Sequence, residues 1–600
     1  MKRYNTARTD NEKASAARLR TWRNMRIGFI MLVFLLMFGV VVVRLFNLML
    51  LNRDKLYSLA EKQHRVISTY ITKRGNIFDT NGIDLAVSLE MDSIYACPYK
   101  VEDLQSEATL VSDVVSIDRD SLVRKLSSDK NFVWVKRRAN PSIVSMLDEK
   151  DLDSIGYVKE DKRFYPHGNL AGAVIGFVGT DNRGLAGLEY EMDDYLRSTV
   201  SHYIAIKDAS GHKLFEVDPS KAPALKNYDL TLTLDIYIQH IAERELARGV
   251  EKTGALGGCA VVMDPKTGEV LAMAGYPGYD PNRFLDSPQE NWRNKAVSWN
   301  FEPGSTFKIF LAAGVLEYGV AAVDDVFDCE GGSFDVSTVK FTDHESGFGL
   351  LSVSDIITHS SNIGAVKLGL LMGSDRYYHT MSSFGFGDYT DITLPGEEKG
   401  MISDPSVWNE VDLAAASFGH GLSVTPLQLI AATAAIANGG ELMKPYIVKE
   451  IGTGDESIFT AEPEVTRRVI SEETANLVME MMERVVREGT GTEAVVEGFR
   501  VAGKTGTAQI FDPATGTYSD TEYNSSFVGV IPADDPKLVI LVVLEQPKTS
   551  IYGGDVAAPV FSAIAASTMY YLGEYPEYLY ARGDTLTSPD GEGREPVVLP

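Results

Sequence analysis

The sequence predicts a membrane-anchored, multidomain α/β protein: one N-terminal transmembrane helix, an α+β module, and a larger domain with helices on an antiparallel sheet. Three observations predict it. Residues 27–43 are a charge-free apolar run behind a basic tail. From about 52 to 235 strand and helix signals are mixed, and beyond that hairpin signatures stand at both ends with helical segments between them.

The basic tail holds Lys2, Arg3, Arg8, Lys13, Arg18, Arg20, Arg23 and Arg26 against Asp10 and Glu12, a net of +6. The following seventeen residues, Ile27 to Val43, rise about 26 Å as a helix, slightly short of a ~30 Å hydrocarbon core. Arg44 can snorkel outward, and Leu45 to Leu51 extends the apolar surface. The competing reading is a cleaved signal peptide, but no small-x-small cleavage pattern follows. The expectation is a cytoplasmic tail (1–26), an anchor (27–51) in the cell membrane, and everything later exported, by the positive-inside rule.

Composition narrows the function. Of 600 residues 44% are apolar and 23% charged, which is ordinary for a folded protein. A formal charge of −26 opposes sequence-independent nucleic-acid binding. Cys97, Cys259 and Cys329 lie far apart without CxxC spacing, and the nine histidines include no HExxH. A disulfide scaffold and a cysteine zinc site are therefore excluded, a helical zinc protease is unsupported, and no cofactor or metal is expected.

The first exported module, 52–228, contains Lys73-Arg-Gly-Asn-Ile-Phe-Asp-Thr-Asn-Gly82, with a hairpin-like Asn-Gly turn. Arg163-Phe-Tyr-Pro-His-Gly168 and Gly184-Leu-Ala-Gly-Leu-Glu189 follow, and Val217 to Pro223 reads as a connector. Nothing here joins a nucleophile to a base, so the module reads as a scaffold or docking module, expected to dock membrane partners. Arg74 and the mixed-charge run Lys159-Glu-Asp-Lys-Arg163 read as solvated surface.

The second module, 229–578, starts with the alternating Leu230–Leu234, a strand, after which Asp235 caps a helix. Cys259–Met263 and Glu269–Met273 flank Asp264-Pro-Lys-Thr-Gly268 as one hairpin. Ser526–Ile531 and Leu538–Val543 flank Pro532–Lys537 as another, and helices are expected over 306–318, 361–372, 425–438 and 472–488. Residues 579–600 end in a Gly-, Pro- and acid-rich stretch from Arg582, expected to be mobile.

Three short patterns carry chemistry together: Ser-x-x-Lys, Ser-x-Asn and Lys-Thr-Gly. Each alone is weak. Ser-x-x-Lys begins at Ser127, Ser210, Ser305 and Ser337; Ser-x-Asn at Ser298 and Ser360; Lys-Thr-Gly at Lys252, Lys266 and Lys504. Context selects among them. Ser305-Thr-Phe-Lys308 follows Glu302-Pro-Gly304 and opens an apolar helical run, which puts Lys308 on the serine's face in the first turn. Ser337-Thr-Val-Lys340 reads as a strand, where a three-residue step separates the two faces. Ser360-Ser-Asn362 opens another helix 55 residues after Ser305. Lys504-Thr505-Gly506-Thr507 follows a strand-like stretch 144 residues later, whereas Lys266 lies in a hairpin turn and Lys252 ends a helix.

In these motifs the chain resembles the class B penicillin-binding proteins, membrane-anchored D,D-transpeptidases that cross-link peptidoglycan. The resemblance spans nearly all of 20–575. It includes Asp264–Met273, Glu302–Lys308, Arg500–Ala508, Tyr552–Phe561, and the N-terminal Arg74-Gly-Asn-Ile-Phe-Asp79 and Arg163-Phe-Tyr-Pro166. Its middle motif is Ser-Ser-Asn rather than the Ser-Asp-Asn of many serine β-lactamases. Ser417-Phe-Gly-His-Gly-Leu-Ser-Val-Thr-Pro-Leu-Gln428, Ala533-Asp-Asp-Pro536 and Glu545-Gln-Pro547 look more like the division (septal) branch than the elongation branch.

The resemblance implies a serine β-lactamase-like transpeptidase domain above a pedestal, or dimerisation-like, domain. It implies a nucleophile Ser305, a base Lys308, a relay Ser360, an orienting Asn362 and a field-setting Lys504. Thr505, Gly506 and Thr507 would bind the substrate carboxylate, with the Ser305 and Thr507 N–H groups as the oxyanion hole. Stem peptides would be substrates and β-lactams covalent inhibitors. A separate membrane glycan polymerase (a SEDS-type glycosyltransferase) and division proteins would be partners. Two other classes compete: a β-lactam sensor or idle division scaffold, and a β-lactamase. The filled motif set weighs against idleness, and the large N-terminal module against a β-lactamase.

Overall fold

The structure is a computed structural model that describes residues 4–71, 73–197, 200–207, 213–215, 227–344, 347–454, 456–512 and 516–575. The expected connector Val217–Pro223, the C-terminal stretch from Arg582 and the Ser210 motif start lie outside these residues. The chain divides into two compact units. In the first, a helix Tyr4–Phe46 leads to a helix Arg53–His64 and a three-stranded antiparallel sheet, with Val200–Lys207 between Arg65–Ile71 and Lys213–Phe215. Among the described residues, one helical stretch, Ala17–Leu51, is long and apolar enough to cross a membrane. Its apolar side chains are exposed, as an anchor facing lipid requires.

In the second unit, the Asn81-Gly82 turn joins strand Ile77–Phe78 to the long strand Asp84–Ala96, which pairs with both Val133–Ala139 and Ile155–Phe164. Helices Leu104–Val115, Arg119–Leu126 and Pro141–Asp148 bury Val111, Leu122 and Leu147 against these strands. Ile77–Phe78 also runs parallel to Asp229–Leu232, which extends the same sheet to Val448–Thr453 and Glu456–Thr460.

Here the structure corrects one expectation. Arg74 and Arg163 are buried, not solvated. Both clasp the buried Glu189: Arg74 Nε at 2.6 Å from Oε2, Arg163 Nε at 2.6 Å from Oε1. Arg74 also reaches Asp193 at 2.5 Å, and Arg163 donates to the Gly75 carbonyl at 2.6 Å. Lys159, by contrast, is exposed and pairs with Asp92. The two N-terminal motifs thus meet around one carboxylate 115 residues from Arg74, which local charge patterning does not reveal. Breaking a buried pair leaves an uncompensated charge, so Arg74→Glu is expected to cost at least about 3–5 kcal/mol. Urea unfolding of the detergent-solubilised chain checks this, and an unchanged midpoint contradicts it.

The larger part of this unit is built on a five-stranded antiparallel sheet. Its elements in chain order are α1 (Ile236–Thr253), β1 (Gly257–Met263), β2 (Val270–Tyr276), α2 (Lys308–Glu317), α3 (Asn362–Met372), α4 (Pro426–Ala437), α5 (Glu472–Glu488), β3 (Ala502–Asp512), β4 (Thr517–Ile531), β5 (Leu538–Glu545) and α6 (Ala558–Tyr571). The strand order is β2-β1-β5-β4-β3, so β3 is an edge.

Period-two alternation explains the layering. In β5, Leu538, Ile540, Val542 and Leu544 face α1 and α6, while Val539, Leu541 and Val543 face the helical layer that contains α4 and α5. Both faces are covered, and a fully buried Val or Leu contributes about 1.5–3 kcal/mol. The Asp235 side chain caps α1 by accepting from the Tyr237 and Ile238 N–H groups, and Gly254 ends it in the left-handed region. Both expected hairpins and all four expected helices are present. One local expectation fails: Ser337 sits at φ +55° in the turn between strands Ser333–Val336 and Val339–Thr342, not within a strand.

Candidate active site

Pro303-Gly304 breaks the chain before a 3₁₀ turn, Gly304–Phe307, that runs straight into α2. Gly304 is required here. It has φ +57°, its N–H donates to Gly419 O at 3.1 Å, and a Cβ would lie 2.6 Å from Thr507 O. Gly506 is equally confined, with the Thr306 methyl 2.8 Å from where its Cβ would be. The serine turn is therefore pressed directly onto β3. Ser305 is half-buried, lines a cavity of about 630 Å³, and its hydroxyl makes no hydrogen bond among the described residues.

Lys308 is fully buried on the first turn of α2. Its Nζ donates to Ser360 O at 2.6 Å, Asn362 Oδ1 at 2.8 Å and Ser360 Oγ at 3.3 Å. None of these acceptors is anionic. Burial accordingly drives the ammonium down to about 7, only partly offset by Asp343. Ser360 adopts φ +57°, an uncommon conformation for a non-glycine residue. That bend turns its carbonyl and hydroxyl toward the lysines. Asp343 secures it from behind by accepting from Ser361 Oγ and the N–H groups of Asn362 and Ile363 at the start of α3.

Lys504, on β3, is also fully buried. It donates to Ser360 Oγ at 2.9 Å and to Thr505 O at 3.1 Å. Burial, then repulsion from Lys308, holds it well below the usual lysine range. Two buried amines thus share one hydroxyl. Ser360 itself lines the cavity. Thr505 and Thr507 line the same cavity from the edge strand. Thr505 Oγ1 meets Thr490 Oγ1 at 2.7 Å, and Thr507 Oγ1 accepts from the Gly553 N–H at 3.2 Å.

All eight sequence-selected residues therefore gather in one place. Of the discarded motif copies, Lys340 also lines the cavity, with its Ser337 in the tight turn before it, while the Lys266 and Ser298 copies lie elsewhere. Lys266 occupies the hairpin turn and pairs with Asp535, and Ser298 Oγ donates to Asn294 O. Sequence reasoning missed Asp343, Thr490 and His420, which carry no motif spacing. Among the described residues no cluster of His, Cys, Asp or Glu is fit to hold a metal ion. The arrangement can activate a serine for acyl transfer with an amine base and no metal-ligand set.

Comparison with known proteins agrees. A family model for the penicillin binding protein transpeptidase domain matches residues 258–566, and one for the penicillin-binding protein dimerisation domain matches 70–232. The chain is 35% identical to Stage V sporulation protein D of Bacillus subtilis, covering 93% of this chain and 88% of that protein. It is 32% identical to the peptidoglycan D,D-transpeptidase FtsI of Escherichia coli, covering 89% of each. Crystal structures of penicillin binding protein 3 from Mycobacterium tuberculosis include a complex with aztreonam, whose TM-score is 0.67 at 30% identity, over 84% of this chain and 97% of that one. With both domain matches collinear and relatives aligned almost end to end, the chain belongs to the penicillin-binding protein transpeptidase family.

Proposed function

We propose that the protein is a peptidoglycan D,D-transpeptidase working through an acyl-enzyme at Ser305, inhibited covalently by β-lactams. One observation carries the reading: two buried lysines converge on Ser360 beside a serine whose hydroxyl bonds to no described residue. Ser305 attacks the penultimate D-Ala carbonyl of a D-Ala-D-Ala stem peptide and D-Ala leaves. An amine of a neighbouring stem then takes the acyl group.

Lys308 is the base, held in place by Asn362 Oδ1 and Ser360 O. Ser360 relays the proton. Lys504 supplies positive potential, and the Thr505 and Thr507 hydroxyls, across Gly506, receive the terminal carboxylate. The Ser305 and Thr507 N–H groups stabilise the oxyanion, at ~3 kcal/mol per donor in comparable enzymes.

The proposed division of labour is a cytoplasmic tail over 1–26, an anchor over 27–51, a pedestal over 52–228, the catalytic domain over 229–578, and a tail from 579. The basic tail supports the cytoplasmic orientation of the N-terminus. The segment 417–428 and Ala533–Pro536 support a septal role alongside a membrane glycan polymerase. The identity to Stage V sporulation protein D favours a second setting for the same chemistry, wall synthesis during sporulation. Depletion separates the two: filamentation marks the septal role, normal division with defective spores the other.

The chemistry is tested by cross-linking of a stem-peptide donor to an amine acceptor. Its acylation step has a defined pH profile. Because the folded-state value of Lys308 is lowered to about 7, its base form is populated above that pH and lost below it. Acylation is expected to fall about tenfold per unit below pH 7 and to level above it. A profile flat from pH 5 to 7 contradicts Lys308 as the base.

A further inference from the structure

At one end of the cavity stands a group of side chains that the acylation chemistry does not use. Glu302, three residues before Ser305, is mostly buried. Its Oε1 accepts from the Tyr518 hydroxyl at 2.9 Å and the Gly421 N–H at 3.2 Å. Its Oε2 has no hydrogen-bond partner among the described residues and faces His420 Nδ1 at 3.9 Å. The His420 ring stacks on Tyr518, with centroids 5.5 Å apart and planes 30° apart, and packs against Phe418 at 5.0 Å. His420 also lines the cavity of Ser305. Burial, and then the nearby Lys308 charge, push it down to about 4, so the ring is unprotonated at neutral pH. Burial raises Glu302 to about 7. A carboxylate, an imidazole and a phenol thus form a chain ending at the cavity wall.

Position along β3 gives the chain its meaning. Thr505, Thr507 and Gln509 share one face, and Thr505 lies about 13 Å from Gln509 at ~3.4 Å per residue. Tyr518 pairs with Phe511, beyond Gln509, so this group lies at the end away from Thr505. If the donor's carboxylate occupies the Thr505 end, the opposite end is left for the second substrate.

We infer that His420, backed by the Glu302 carboxylate, receives the acceptor amine of the second half-reaction; this rests on the acyl-enzyme reading above. The acceptor is a primary amine of another stem peptide, held in its neutral form with one N–H donating to the unprotonated His420 ring. The amine attacks the ester carbonyl; the C–N bond forms and the bond from carbonyl carbon to Ser305 Oγ breaks. One amine proton passes through Lys308 to the departing serine oxygen. An amide and a restored hydroxyl result. Tyr518 and Glu302 are positioning residues.

The test uses the full-length protein in detergent, a D-alanyl thioester peptide as donor and D-alanine as the amine. Penicillin acylation, thioester hydrolysis and aminolysis are measured separately. His420→Gln and Glu302→Gln are each expected to lower the aminolysis-to-hydrolysis ratio at least tenfold, with penicillin acylation changed less than threefold. Tyr518→Phe should lower the ratio severalfold. Acylation here doubles as the folding control. A ratio unchanged in both His420→Gln and Glu302→Gln overturns the inference, as does acylation falling in step with aminolysis, which marks the group as a strut for the serine turn. Absence of any acyl-enzyme in the unsubstituted protein overturns the acyl-transfer reading itself, and the acceptor site with it.

Discussion

Ser305→Ala is expected to abolish covalent labelling by a penicillin while leaving the fold intact. The effect is all-or-none because the hydroxyl oxygen is the atom that forms the ester. The structural cost is small. The side chain is half-exposed in a 3₁₀ turn and its hydroxyl bonds to no described residue, so the loss stays under ~1 kcal/mol, the usual scale for a capping serine. The turn itself is held by Gly304 against Gly419 and by Thr306 Oγ1 donating to Pro303 O at 2.8 Å, none of which involves the Ser305 side chain. Fluorescent penicillin and a thermal melt measured on the same sample check both halves. Full-stoichiometry labelling of Ser305→Ala means the nucleophile is another residue.

Lys308→Ala is expected to slow acylation by about 10²- to 10⁴-fold, the range for losing a general base. Non-covalent binding should change far less, since the amine is fully buried behind Ser360 and Asn362. The substitution also strands the buried acceptor Ser360 O, at about 1–3 kcal/mol, and the part-buried Asn362 Oδ1, which the cavity can solvate. Lys308→Met, which keeps the volume of the stem, separates chemistry from packing. Both variants should show the same rate loss, although Lys308→Met should melt higher. Unchanged acylation in either would pass the base role to Lys504, the other amine on Ser360 Oγ.

How much of this was legible beforehand follows from where the determinants lie in the chain. The central sheet could be read because alternation is local: Leu538 to Val543 carries its two-faced burial in six consecutive residues. The motif residues could be read because a helix start brings Ser305 and Lys308 together over three positions. Arg74 and Arg163 could not, because their partner Glu189 is distant in sequence and only folding shows that their charges are buried. Asp343 was missed for a similar reason. It holds the start of α3 from a loop nineteen residues earlier, without a spacing rule. His420 stood inside a quoted segment, yet its chemistry depends on Glu302, 118 residues earlier in the chain. Ser337 shows the opposite error: alternation suggested a continuous strand where a tight hairpin turns.

The most direct test of acyl transfer at Ser305 is peptide mapping by mass spectrometry. The full-length protein is quenched in acid after brief exposure to a D-alanyl thioester donor, and separately after penicillin. The structure predicts one adduct per chain in each case, both on the peptide carrying Ser305, with free D-amino-acid acceptor removing the first and not the second. Adducts on another residue, or a donor that turns over with no adduct at Ser305, would contradict it.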